Sequence, residues 1–240
     1  MPLTVAFQWY VRRAPLRSLW VRDAASFRLG RVGWAFAALM AIAPAHQLLN
    51  DVRADLPKVN LLFDSAAIAG TLATAFAIRN LRSSSIRPLL MCLAIAGGIG
   101  ITIMVASGYS AGFSHLSEIR RLTTGVQSLL MMLGLFSVVE EVAFRGAFDA
   151  HVFHAGESRG IGSAVLVSGL WGLWHLPVVL NLHSSTQPVL LLAPQLIAVH
   201  CAIGVPLSIY WRRSSNLFVT GFTHAVIDAV RNALLILPWH

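Results

Sequence analysis

Apolar runs of about 20 residues recur along this chain, and no other feature restricts its fold as strongly. A bilayer core about 30 Å thick is crossed by about 20 helical residues, and seven stretches fit: Val32–Leu49, Val59–Ile78, Pro88–Tyr109, Gly125–Phe148, Ile161–Leu180, Pro188–Tyr210 and Leu217–Leu237. Backbone amides in lipid must be satisfied within the segment, so each run is expected as a helix. The expectation is an all-α, polytopic transmembrane bundle of about seven spans. Composition closes the alternative. Of 240 residues, 56% are hydrophobic and 12% charged, whereas soluble domains carry about 25% charged residues.

The net charge of +8 does not point to nucleic acid, because the arginines sit between apolar runs and form no basic helix with interleaved aromatics. They read as topology signals. With the N-terminus cytoplasmic, twelve of the eighteen Lys and Arg residues fall on the inside, four outside, and Arg145 and Arg231 lie within spans. Residues 1–30 form a basic segment that either lies on the membrane surface through Phe7, Trp9, Tyr10, Leu16, Leu19 and Trp20 or trails as a tail. No cleavage site for a removable signal follows it. Residues 31–124 supply three spans and residues 125–240 the remainder. Cys92 and Cys201 stand far apart in apolar runs, which argues against a disulfide framework.

Ionisable groups at membrane depth are costly and mark function by default. Here they concentrate in the last four spans: Glu140, Glu141, Arg145, His175, His200, His224, Asp228 and Arg231. Glu140-Glu141-Val142-Ala143-Phe144-Arg145 continues the helix of Leu129–Val138. Glu141 and Arg145 are spaced for a same-face pair, while Glu140, turned by about 100°, is free for chemistry. Trp171 and His175 share a face one turn ahead of the break expected at Pro177. His224 and Asp228 share another, so the aspartate is expected to orient the imidazole. Glu140, His175 and His224 each lie about 12 to 20 Å from the cytoplasmic end of a span and can meet in one layer. His200, without an acidic partner at helical spacing, reads as a packing or hydrogen-bonding residue. His46, His115, His151, His154 and His183 read as interfacial.

These three elements, in this order, resemble the CAAX prenyl endopeptidases and bacteriocin-processing enzymes known as the CPBP or Abi intramembrane peptidases. The pattern of that family is Glu-Glu-x-x-x-Arg, then Phe-x-x-x-His, then His-x-x-x-Asn. The likeness covers Gly125 to Leu237. Trp171 stands where the family usually has phenylalanine and Asp228 where asparagine is usual. The resemblance implies an intramembrane endopeptidase acting on a peptide at the membrane, with Glu140 as general base, His175 positioning the water, and His224 with Asp228 at the oxyanion. Glu141, Arg145 and Trp171 would support them. The same family is also described as metal-dependent, in which case Glu140, His175 and His224 would hold a divalent ion such as zinc. Two further classes remain open: a transporter relaying protons or cations, against which no internal repeat is found, and a non-catalytic bacteriocin-immunity protein that binds a partner peptide. The short, arginine-rich chain suits a bacterial inner membrane.

Overall fold

A computed structural model of the chain describes residues 1–111, 117–153, 160–182 and 188–234. His115, His154 and His183 lie outside the described residues, as does the end of the last expected span. Helices follow one another in chain order: α1 (Pro2–Ala6), α2 (Gly30–Arg53), α3 (Lys58–Arg79), α4 (Ser83–Cys92), α5 (Gly98–Ala111), α6 (Glu118–Phe136), α7 (Ala150–Val152), α8 (Ile161–Trp174), α9 (Leu176–Leu182), α10 (Val189–Ser214) and α11 (Leu217–Leu234). The described residues contain no strand, only an isolated bridge between Val21 and Asn216. The fold is all-α.

Five stretches are long and apolar enough to cross a membrane: Gly30–Arg53, Lys58–Arg79, Ser83–Gly108, Ile161–Leu180 and Val189–Ser214. Their outward faces are apolar. Leu62 is 70% exposed and Leu190 84%, an arrangement that water would penalise and lipid accommodates. The other two expected spans fall short of this measure: in Gly125–Phe148 the helix starts at the charged stretch Glu118–Arg121 and stops at Phe136, and in Leu217–Leu237 α11 carries His224, Asp228 and Arg231.

Packing runs from α2 to α3, from α3 to α6, from α6 to α11, from α11 to α10 and from α10 to α8, with α4 and α5 against α10 and α11. Without a hydrophobic drive between helices in lipid, small residues and close backbones supply the contact. At the α3–α6 crossing a Cβ on Gly70 would overlap the Gly134 carbonyl, and one on Gly134 would overlap the Ala67 carbonyl. Only hydrogen fits there.

The helix expected to continue through Glu140 is instead interrupted at residues 137–139. Ser137 explains the break. Its hydroxyl bonds back to the Leu133 carbonyl at 2.9 Å and meets Thr74 Oγ1 at 2.8 Å, while its own carbonyl accepts the Trp20 indole N–H at 2.6 Å. That carbonyl would otherwise take an amide of the next turn. The chain resumes at Glu140 and runs through a π-helix, Val142–Asp149.

The basic N-terminal segment is neither a loose tail nor wholly superficial. Trp9 and Tyr10 are exposed as an interfacial segment requires, but Leu19, Trp20 and Val21 are buried in the core with Phe76, Val142 and Trp211. Main-chain bonds tie Trp20 O to Leu217 N at 2.7 Å and Arg22 N to Ser215 O at 3.0 Å. A second lock holds the end of the π-helix: Asp149 accepts two bonds from Arg212 of α10, at 2.6 and 2.9 Å.

Candidate active site

The two adjacent glutamates project into different surroundings, as their rotation about the helix requires. Glu140 is half-buried, and its Oε2 accepts the Trp171 indole N–H at 2.7 Å. The same oxygen lies 3.7 Å from His175 Nε2. That distance exceeds a hydrogen bond, so carboxylate and imidazole flank a position where one water can touch both. The side chains of Glu140 and His175 stay 18% and 26% exposed. They are the reachable pair of the cluster.

His175 sits where α8 ends and α9 begins, one residue past Trp174. Pro177 follows it and supplies no amide for the preceding turn, which places the break at this histidine. Its Nδ1 lies 2.9 Å from the Trp171 carbonyl and donates to it. The ring is thereby fixed with Nε2 turned to Glu140, and in the neutral form Nε2 is the acceptor.

Glu141 faces inward and is fully buried. Its Oε1 is 3.1 Å from His224 Nδ1, and its Oε2 is 3.8 Å from Arg145 Nε. Arg145 is also fully buried, with its guanidinium 4.5 Å from the centre of the Trp171 ring. His224 stacks on Phe136, ring centres 3.7 Å apart and 8° from parallel. A buried carboxylate thus holds a cation on one oxygen and an imidazole on the other.

The pairing of His224 with Asp228 expected from their spacing is not what the fold makes. Glu141, 83 positions away, takes the imidazole nitrogen, and Asp228 instead meets Arg231 at 3.1 Å on its own helix. The reason is direction. Asp228 and Arg231 are i,i+3 neighbours toward the partly exposed end of the face, whereas the ring of His224 is turned inward by its stack on Phe136.

His200 joins the cluster although its own helix gave no reason to place it there. Its Nδ1 donates to the Leu196 carbonyl at 2.7 Å, and its ring lies 4.3 Å from that of His175 and 4.6 Å from that of Trp171. Its own helix offers no acidic partner at helical spacing; only packing of α10 on α8 brings it in.

Residues 121–230 match the sequence profile of a family described as Type II CAAX prenyl endopeptidase Rce1-like. This segment is similar to that family. The family is the one that the three motifs resemble, and it is a family of peptidases. The Rce1-like segment begins in α6 and ends in α11, so it encloses Glu140, Glu141, Arg145, Trp171, His175, His200, His224 and Asp228. No curated protein and no solved structure matches the chain. With its apolar helices, the protein is an integral membrane protein.

The metal alternative can be set against the donor atoms. Among the described residues no three His, Cys, Asp or Glu side chains are disposed to hold a metal ion. Glu140 and His175 approach each other, and His224 gives Nδ1 to Glu141. No step in the proposed chemistry passes through a metal.

Proposed function

We propose that the Rce1-like segment hydrolyses a peptide bond in the C-terminal tail of a membrane-associated substrate, with Glu140 as general base. The observation that carries this reading is the Glu140–His175 pair: a carboxylate and an oriented imidazole 3.7 Å apart, both partly exposed, amid buried polar groups. A water between them gives its proton to Glu140 as its oxygen attacks the scissile carbonyl. The proton then passes to the leaving amine as the C–N bond breaks. His224 is the oxyanion donor. With Nδ1–H given to Glu141, its Nε2 donates when the ring carries both protons, and that charge would sit 3.1 Å from a carboxylate. The ring's Nδ1 bond goes to Glu141, while Asp228 pairs with Arg231. The family name suggests a prenylated CAAX tail as the substrate; in a bacterial inner membrane, leader or sorting peptides offer the same chemistry.

The test uses purified protein and an internally quenched, farnesylated peptide ending in a CAAX sequence. Glu140→Gln, His175→Ala and His224→Ala should each lower cleavage by about a hundredfold or more while still inserting and purifying as monodisperse protein. Full activity in all three would end the peptidase reading.

A further inference from the structure

We infer that Trp171 is a positioning residue that orients both halves of the water-activating pair at once, through its indole N–H on Glu140 and its main-chain carbonyl on His175. The inference rests on the peptidase reading and adds to it a residue whose chemistry a phenylalanine could not supply.

The terminal torsion of a glutamate is broad, so an unrestrained carboxylate spreads over many orientations. Trp171 removes that freedom. Its indole nitrogen can only donate, it is 2% exposed and needs a partner, and the 2.7 Å bond to Oε2 supplies one. Oε2 is thereby held 3.7 Å from His175 Nε2, and its second lone pair is the one that takes the water's proton. The carbonyl of the same residue accepts His175 Nδ1–H at 2.9 Å, which turns Nε2 toward Glu140. Base and partner are referred to one rigid point, the condition under which orientation lowers a barrier.

Trp171 is itself clamped. The Arg145 guanidinium lies over its face at 4.5 Å, and the rings of His200 and His224 meet it edge to face at 4.6 and 4.9 Å. One residue on, a Cβ on Gly172 would come within 2.7 Å of the Leu196 carbonyl, so the backbone here is pressed against α10. A phenylalanine would preserve the ring contacts and leave Oε2 unheld.

Two replacements isolate the N–H: Trp171→Phe, and replacement of Trp171 by 3-benzothienylalanine, which keeps the bicyclic shape with sulfur for N–H. With the farnesylated quenched peptide, both should lower kcat by about tenfold with KM unchanged. In protein carrying 15N-labelled tryptophan, the Trp171 indole resonance, assigned by its loss in Trp171→Phe, should lie downfield and move upfield in Glu140→Ala. Undiminished kcat in both replacements, a KM increase in place of the kcat loss, or an indole resonance indifferent to Glu140→Ala would each overturn the inference. The peptidase reading fails differently, by Glu140→Ala retaining cleavage, and the resonance still reports the bond in that event.

Discussion

Glu141 and Asp228 are both acidic, both lie beside His224 in sequence or space, and the fold gives them different work. Glu141 is fully buried between His224 and Arg145. Glu141→Gln would strand a buried guanidinium, a change that typically costs about 3 to 5 kcal/mol. Asp228 pairs with Arg231, whose side chain is 34% exposed, and solvent screening holds such a pair to less than about 1 kcal/mol. Thermal unfolding in one detergent should therefore show a large fall for Glu141→Gln and a small one for Asp228→Asn. Equal falls would contradict the assignment. The sequence pattern misleads here because helical spacing lists neighbours on one helix and is silent on which way each side chain is drawn. Phe136, from α6, turns His224 inward.

At the scale of elements, the site depends on an interruption. Ser137 and Trp20 end α6 one turn before Glu140, and the π-helix that starts just after the buried Glu141 carries Arg145 and Asp149 at buried positions. Mid-chain π-helical turns often accompany functional sites. The break was not legible because its cause, a tryptophan 117 positions earlier bonding to a carbonyl, has no local signature. The α3–α6 crossing carries a sharper prediction. Gly134→Ala places a methyl group against the Ala67 carbonyl and should destabilise by about 1 to 3 kcal/mol. Gly98, whose Cβ would meet nothing within 4 Å, serves as the control: Gly98→Ala should unfold no earlier than the parent, since alanine favours a helix by about 1 kcal/mol. Identical unfolding temperatures for the two variants would deny the close approach.

For the molecule as a whole, the distribution of arginines sets the expected orientation, with the N-terminus and the ends of α3 and α10 on the cytoplasmic side. Single cysteines at exposed positions in a Cys92→Ala, Cys201→Ala background test it. A membrane-impermeant maleimide applied to intact cells should label positions 58 and 120 and reach 82 and 213 only after permeabilisation. The opposite pattern would invert the topology. The N-terminal segment gives this orientation a structural consequence, because Leu19–Val21 pack into the same end of the bundle as Asn216 and Leu217.

The sequence by itself determined that the chain is a helical membrane protein and that its ionisable residues at membrane depth gather in the later half. Both follow from local properties: an apolar run long enough to cross lipid must be a helix, and an ionisable group inside one is too costly to be incidental. It also named the motif residues, since Glu-Glu-x-x-x-Arg, Trp-x-x-x-His and His-x-x-x-Asp are each contained within one turn or two. Only the tertiary structure decided who partners whom. Trp171 with Glu140, Glu141 with His224, His200 against His175 and Trp20 with Ser137 all join different elements. Such pairs depend on how helices cross and turn against each other, and helical periodicity within one segment carries no record of that.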